Sequence, residues 1–284
     1  QLRAELSHAY FIFKYDNKAI RQARLSLSLS AKPNPLALWA GGLASWRQKN
    51  FELSKYFFNK LAEKTNGHDG IIAAGGFWSS RIAYAMGDPK KANYFLAKSA
   101  SHERTFYGSL AMESLGYKYN PDFSLPEFDV DLIKKIKRFK GGLRALALIE
   151  VSEHHKSARE FRKIIPKFKI DDYPKLLSLA SENNMPGLTF RLAAILRNNH
   201  GKILLGGLYP IPSWNMDISD LKERALIYSI VRQESGFNPR AKSSSKALGI
   251  MQVIPSTAAF IMKDRQYRLR GSKNYLLYNP SHSI

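Results

Sequence analysis

Apolar residues recur at helical spacing near the start of the chain, where they mark two faces: Tyr10, Phe13, Ile20 and Leu27. Between these faces, Asp16-Asn17 has the polar character of a turn. We therefore predict a helix pair over residues 1–30. Pro33 and Pro35 then end the helical pattern, because proline cannot continue a helix.

Residues 38–100 contain an internal repeat. Residues 38–62 align with 77–100 at an offset of about forty positions, which pairs Trp39 with Trp78, Leu43 with Ile82, Tyr56 with Phe95 and Phe57 with Leu96. Each copy has two apolar segments around a polar turn, at 48–50 and at 87–89. The repeat predicts a stack of helical hairpins of the tetratricopeptide type, in which each pair buries its apolar face against its neighbours. The aromatic residues are then expected in the core.

The helical pattern continues to residue 198. After a connector at 120–130 that contains Pro and Asp, helices are predicted at 131–139, 141–154, 157–166, 172–183 and 186–198. Gly and Pro interrupt residues 199–216, so we place the domain boundary there and divide the chain into 1–205 and 206–284. The predicted fold class is all-α, with an α-superhelical, tetratricopeptide-like solenoid at 1–205 and a second α domain after it.

The composition limits which partners and which kinds of site the protein can have. The 284 residues include 44 Lys and Arg against 23 Asp and Glu, which gives a formal charge of +21. This charge favours polyanionic partners: nucleic acid, an anionic membrane surface or a wall polymer rich in carboxylates. The lack of cysteine excludes disulfides and thiolate metal sites. No apolar run has the length of a membrane span. No signal peptide is visible. The chain begins at Gln1 without a Met, and we expect it to be a fragment.

Two polar clusters are interpreted as surface. A basic run lies largely within the predicted helix at 131–139: Lys134, Lys135, Lys137, Arg138 and Lys140. It is expected to be a solvated helix face. The doublet His154-His155 has no third ligand at metal-binding spacing, so it is also expected at the surface.

Residues 220–258 contain the strongest candidate chemistry. Asp220 is a good N-cap, with Glu223 three residues later, and Gly236 followed by Pro239 predicts the end of that helix. One face of the helix carries an apolar stripe with a carboxylate in it: Ile227, Ile230, Val231 and Glu234. Arg232 points away from this stripe.

Glu234 is predicted to lie in the last turn of this helix. Burial disfavours the charged carboxylate, and so does the negative end of the helix dipole, so both are expected to raise its pKa. A carboxyl that stays protonated near neutral pH can act as the general acid that breaks a glycosidic bond. Downstream, the sequence offers one further carboxylate, Asp264, beyond the next predicted helix.

The residues after Glu234 form a long ordered motif: Glu234-Ser235, Asn238-Pro239, Ala241, Ser243, Gly249-Ile250-Met251-Gln252 and Pro255-Ser256-Thr257-Ala258. This motif resembles the signature of the lysozyme-like lytic transglycosylases, and in particular the soluble lytic murein transglycosylases of Gram-negative bacteria. Residues 104–108 and 208–212 resemble segments of the same family. Ile250 stands where the family usually has Leu. Lys246 stands where it usually has Gly, so the turn there is expected to differ.

The resemblance also sets an expectation for the end of the chain. Residues 278–284 resemble a family segment that leads into a further helix and later into a motif with an active-site Tyr. Residues 206–284 are therefore expected to be an incomplete lysozyme-like α domain. We expect the helical repeats to fold and the chain by itself to be inactive or nearly so, because the stripe around Glu234 would lack its cover.

The resemblance implies a reaction and a site. Glu234 would be the single acid/base that cleaves the β-1,4 bond between N-acetylmuramic acid and N-acetylglucosamine, with the substrate's acetamido oxygen stabilising the sugar C1 and a 1,6-anhydromuramoyl end as product. Four residues would bind the sugar: Ser243, Gly249, Met251 and Gln252. Ser235 and Asn238 are interpreted as structural. Peptidoglycan strands would be the partner and the periplasm the location, with a monomer that needs no cofactor or metal.

Other functions compete with this one. A basic α-solenoid that binds nucleic acid would account for the charge, but it leaves Glu234 without a role and has no recognisable nucleic-acid module. A non-catalytic fragment that binds peptidoglycan would account for the solenoid. Hydrolysis of the lysozyme type would use the same Glu234 and would differ in the attacking nucleophile.

Overall fold

The structure is a computed structural model and describes residues 1–29, 32–63, 68–216, 218–268 and 273–284. Within these ranges the regular structure is helical, and β-type pairing is limited to the bridges of Leu248 with Lys242 and Val253. The predicted all-α class is confirmed. The chain divides into two compact units, Gln1–Asn120 and Pro121–Ile284.

The first unit is built from paired helices: α1 (Leu2–Ile12), α2 (Asp16–Ser28), α3 (Pro35–Arg47), α4 (Phe51–Ala62), α5 (Asp69–Ala85), α6 (Pro89–Ala100) and α7 (Phe106–Ser114). Helices α1 and α2 confirm the predicted pair at the start of the chain; residue 30 lies outside the described residues. Phe13, expected on an apolar face, follows the end of α1 and is 72% exposed. A residue just past a helix end no longer shares the periodicity that placed it on that face.

The two copies of the repeat fold as the predicted hairpins, α3 with α4 and α5 with α6. Each second helix begins at a capped turn. The side chain of Asn50 accepts a hydrogen bond from the Leu53 amide, and that of Asp88 accepts one from the Lys91 amide. Such caps satisfy amide groups that the first helical turn leaves unpaired. The polar turns of the repeat therefore fix where each second helix starts.

The repeat-related tryptophans meet where the two hairpins pack. The ring centroids of Trp39 and Trp78 are 6.4 Å apart in an edge arrangement, and Phe58 stacks on Trp78 at 5.6 Å. These rings adjoin the buried cluster formed by Leu38, Phe57 and other apolar residues. The expected core role is confirmed for the tryptophans, but Tyr56 is exposed. Equivalent positions in a repeat differ when only one of them has a neighbour to pack on.

The second unit begins with the extended connector and continues with helices of varied length: α8 (Val130–Lys137), α9 (Lys140–Glu150), α10 (His154–Ile164), α11 (Tyr173–Glu182), α12 (Pro186–His200), α13 (Leu205–Leu208), α14 (Leu221–Ser235), α15 (Pro255–Ile261) and α16 (Pro280–Ser283). The helices predicted between 131 and 198 are all present. One boundary is displaced, because His154 was assigned to the end of α9 and instead begins α10.

The second unit has more than one core. A large cluster extends from Leu132 to Leu208 along the chain. A separate cluster unites Val231 with Phe237 and Ile250, and a third surrounds Tyr267. The boundary between 205 and 206 stays a prediction.

The basic run at 134–140 lies on the surface, as predicted. All five of its basic residues are exposed, whereas Leu132 and Ile136 on the same helix are buried. Lys135 also forms an ion pair with Asp172 at 2.6 Å. No helix in the described ranges is both long and apolar enough to cross a bilayer.

Candidate active site

Helix α14 carries Glu234, and its ends are set by the residues that the sequence indicated. The Asp220 carboxylate accepts hydrogen bonds from the amides of Lys222 and Glu223 at 2.6 and 3.1 Å. At the other end Gly236 adopts a left-handed conformation with φ of 54°, which stops the helix after Ser235. Both ends of α14 are therefore determined locally.

Helix α14 contacts the rest of the unit through Val231, Arg232 and Tyr228. Val231 is completely buried against Phe237 and Ile250. The Arg232 side chain points to the other side, as predicted, where its Nε donates to the Leu208 carbonyl at 2.9 Å. Tyr228 donates its hydroxyl to the Pro212 carbonyl at 3.2 Å. These contacts fix the direction in which the helix presents its last turn.

Glu234 is exposed, which corrects the expected burial. Of the apolar stripe, Val231 is buried, Ile227 is half-buried, and Ile230 is 37% exposed. The stripe is therefore covered at Val231 and partly covered at Ile227, whereas Ile230 and Glu234 are exposed to solvent. Within the part of the chain that the structure describes, the carboxylate has no hydrogen-bond or ion-pair partner. It is available to a bound molecule.

A compact loop follows, residues 241–253, and backbone pairing holds it together. The Leu248 and Val253 backbones exchange two hydrogen bonds, at 3.0 and 3.1 Å, and the Gly249 amide donates to the Ala241 carbonyl. Ile250 then inserts into the cluster around Val231. The structure thus brings the glycine-containing turn and the helix of Glu234 together through Ile250 and Val231.

Ser243 closes one corner of this loop. Its hydroxyl oxygen accepts a hydrogen bond from the Ala247 amide at 3.0 Å, and its own amide donates to the Ala247 carbonyl at 3.0 Å. Lys246 within this corner has a φ of 65°. This left-handed conformation suits the Gly that the family usually has at this position, so the turn persists here with a strained Lys.

Gly249 makes a close backbone approach, but the neighbour is the chain itself. Its φ is 73°, and a Cβ at this position would lie 1.8 Å from the Leu277 carbonyl oxygen. Only glycine fits between the loop and the segment at 273–278. The role of Gly249 in binding the sugar stays a prediction, because this contact concerns only the side on which a Cβ would lie.

Met251 and Gln252 lie next to each other with different roles. Met251 is half-buried and packs against the cluster of Val231 and Ile250. The Gln252 side chain turns back, so that its Nε2 donates to the Gly249 carbonyl at 2.8 Å. Its Oε1 remains available as an acceptor among the described residues, because an amide side chain can both donate and accept.

Ser235 and Asn238 are structural, as predicted. The Ser235 hydroxyl donates to the Val231 carbonyl at 3.1 Å within the last helical turn. The Asn238 side chain accepts from the Arg240 amide at 3.1 Å and so shapes the turn that leaves the helix.

Asp264, the one carboxylate downstream of Glu234 in the sequence, has partners within the chain. It accepts a hydrogen bond from the Gln266 amide at 2.9 Å and forms an ion pair with Lys273 at 2.7 Å. The hydrogen bond from Lys273 is the main cause that lowers the pKa of Asp264. A carboxylate held in its charged form by a lysine is a poor proton donor at neutral pH. In the described residues no group of three His, Cys, Asp or Glu could hold a metal ion.

The sequence interpretation placed the histidine doublet at the surface, and the structure corrects this. His154 and His155 are half-buried rather than on the surface, and the Nδ1 atom of His154 is buried. They line a cavity within the second unit that Glu234 does not line. The displaced start of α10 explains the error, because the pattern placed His154 at the end of the preceding helix.

The chain is similar to known proteins in two respects: the sequence of its last residues and its fold. Residues 219–284 match the family model of the transglycosylase SLT domain. A candidate soluble lytic murein transglycosylase of Haemophilus influenzae is 37% identical over 70 residues, which are 25% of this chain and 11% of that protein. The chain therefore corresponds in sequence to a small part of the curated relative.

Solved structures extend the fold similarity to nearly the whole chain. An inactive mutant of the lytic transglycosylase Slt from Pseudomonas aeruginosa matches with a TM-score of 0.67 at 20% identity, covering 93% of this chain and 42% of that one. The 70 kDa soluble lytic transglycosylase of Escherichia coli matches with a TM-score of 0.56 at 16% identity, covering 97% of this chain and 50% of that one. The superhelical fold class predicted from the repeat is the fold of these proteins.

Proposed function

We propose that the chain, whose residues 219–284 match the family model of the transglycosylase SLT domain, is part of a lytic transglycosylase that cleaves peptidoglycan. The proposed bond is the β-1,4 link between N-acetylmuramic acid and N-acetylglucosamine. One observation carries the proposal: in this family domain, Glu234 presents an exposed, unpaired carboxylate at the end of a helix packed on the glycine-containing loop. The substrate is a glycan strand of the cell wall, and the location is the periplasm.

Glu234 acts first as an acid and then as a base. It protonates the glycosidic oxygen as the bond to C1 of the muramoyl residue breaks, and the acetamido oxygen of the same sugar stabilises C1. Glu234 then takes the proton of the C6 hydroxyl, whose oxygen closes on C1 to give the 1,6-anhydromuramoyl end.

A mechanism with a single carboxylate agrees with the surroundings of Glu234. Most glycosidases place a second carboxylate across the scissile bond. Here the next carboxylate along the chain, Asp264, is held by Lys273. An internal nucleophile supplied by the substrate removes the need for that second group.

The loop at 241–253 supplies the sugar-binding groups. Ser243 uses its oxygen as an acceptor within the loop, which leaves its hydroxyl hydrogen for a sugar oxygen. Gln252 uses its Nε2 within the loop, which leaves Oε1 for a sugar hydroxyl. Gly249 and Met251 hold the loop in place, through Leu277 and through the cluster around Val231 respectively.

Digestion of intact peptidoglycan tests the proposal. The full-length protein is incubated with sacculi, and the released muropeptides are analysed by mass spectrometry. Anhydromuramoyl ends, lighter than hydrolysed ends by one water, support the proposal. Reducing ends would indicate hydrolysis of the lysozyme type. Binding to sacculi without any released product would indicate a protein that binds the cell wall without catalysis, and it would overturn the proposed reaction.

A further inference from the structure

A cavity of about 320 Å³ lies within the second unit, away from Glu234. Its walls come from the start of α10, the start of α12, the segment after α14 and the residues near 278–280. The residues that matter for its chemistry are His154, His155, Arg162, Trp214 and Arg240. We call this space the basic cavity. Its volume is at the lower end of the range of small-molecule sites.

Within the part of the chain that the structure describes, no carboxylate forms an ion pair with Arg162 or Arg240, which line the basic cavity. Among the same residues, Glu153 is the carboxylate in the lining, and it is bound by Lys156 at 2.8 Å. A half-buried guanidinium without a partner is uncommon, because burial of an unpaired charge is costly.

The pKa values of the lining groups reflect the same excess of positive charge. Burial lowers the pKa of Arg162, and the neighbouring Arg191 and Arg159 lower it further. Burial also lowers the pKa of His155, followed by the charges of Arg162, Arg240 and Arg159, with Glu153 acting weakly in the opposite direction. An anion in the cavity would reverse these effects, since an opposite charge favours each protonated form.

The start of α10 adds polar donors to the same space. This helix begins at His154, and no side chain caps that end in the structure. Free amides and the positive end of the helix dipole favour a negative charge at such positions. The buried Nδ1 of His154 has no hydrogen-bond partner either. Buried polar atoms without partners are rare and often mark a place for a ligand or water.

One part of the wall of the basic cavity is apolar. Met185 is buried there, and Leu188 and Trp214 line the space next to it. A fully hydrated inorganic ion would leave this part of the wall without a contact. A ligand with a charged end and a compact apolar body would satisfy both the charged and the apolar part.

We propose that the basic cavity binds an organic oxyanion, with its carboxylate or phosphate group at Arg162, Arg240 and the start of α10 and its apolar part against Trp214. Guanidinium groups suit both kinds of oxyanion, because their paired N–H groups match two acceptor oxygens. This site is separate from Glu234 and does not depend on the reaction proposed for that residue.

Trp214 provides a local probe for the test. The other tryptophans, Trp39, Trp46 and Trp78, all lie in the first unit. The intact protein is titrated with N-acetyl-leucine, its neutral amide, phenyl phosphate and inorganic phosphate while fluorescence is recorded, and a Trp214→Phe variant shows which signal is local. We expect at least one of the two organic anions to bind and the neutral amide to bind at least about tenfold more weakly. The two organic arms distinguish a carboxylate ligand from a phosphate ligand.

Charge variants locate the binding. Arg162→Gln and Arg240→Gln are each expected to weaken the affinity about tenfold or more. Arg159→Gln is the matched control, because it removes the same charge from the same helix outside the lining, and it should change the affinity less than about threefold. Arg240 is exposed, so its variant keeps the test valid if the Arg162 variant does not fold. The proposal is overturned if neither organic anion perturbs Trp214, if the amide binds as well as the acid, or if Arg240→Gln binds like the parent.

Discussion

Glu234 combines an exposed side chain with a fixed position at the end of α14. We predict that Glu234→Gln in the full-length protein lowers the rate of anhydromuropeptide release about a hundred- to ten-thousand-fold, because an amide of the same shape cannot deliver a proton. The fold should not change, since the carboxylate has no partner within the described residues. Product release is measured by mass spectrometry and the fold by circular dichroism.

Glu223→Gln is the matched control for this prediction. Glu223 is an exposed glutamate on the same helix, in its first turn rather than its last. Its variant should retain the parent rate within about twofold, because surface substitutions of this kind change little. A Glu234→Gln protein that digests sacculi within a few-fold of the parent would remove Glu234 from the proposed acid role.

Adding a single methyl group at Gly249 should destabilise the folded state. We predict that Gly249→Ala lowers the free energy of unfolding by more than about 2 kcal/mol, because the added Cβ meets the Leu277 carbonyl and the left-handed φ is unfavourable. Gly201→Ala separates the two causes. Gly201 has a similar φ of 64° with nothing within 4 Å of the added Cβ, so it should lose only about 1 kcal/mol. Denaturant unfolding measures both; equal losses would show that contact with Leu277 does not matter.

At the scale of an element, the loop at 241–253 carries a local strain in its turn. Lys246 has a φ of 65° and is exposed. We predict that Lys246→Gly raises the free energy of unfolding by about 0.5–1 kcal/mol, because the left-handed penalty of a Lys exceeds the entropy cost of a Gly. Lys242→Gly in the same loop should lower it by a similar amount, since Lys242 has an ordinary φ and pairs with Leu248. A Lys246→Gly protein less stable than the parent would contradict the assignment of strain.

At the scale of the whole molecule, charge is the property that should govern association with the cell wall. The formal charge of +21 attracts a polymer rich in carboxylates. We predict that binding to sacculi weakens about tenfold as salt rises well past physiological strength, where exposed charges are already screened within about 8 Å. Sedimentation with sacculi at a series of salt concentrations measures this. Binding to neutral chitin is the control and should change little, and sacculus binding that ignores salt would contradict the electrostatic interpretation.

Local signals in the sequence were sufficient to predict the helices and most of their ends. Asp220 and Gly236 bound α14, and Asp88 and Asn50 start the second helices of the repeat, because a cap acts on amides within a few residues of itself. Periodicity determined which faces are apolar for the same local reason. The all-α class and the choice of Glu234 followed from these patterns and from an ordered motif.

The surroundings of each side chain, in contrast, depend on the folded structure. Glu234 is exposed because packing on α14 centres on Val231, and the Leu277 carbonyl lies where a Cβ of residue 249 would project. His154 lines a cavity with Arg240 although the two residues are far apart along the chain. Burial, close approach and unbalanced charge depend on such distant contacts, and neither periodicity nor capping contains information about them.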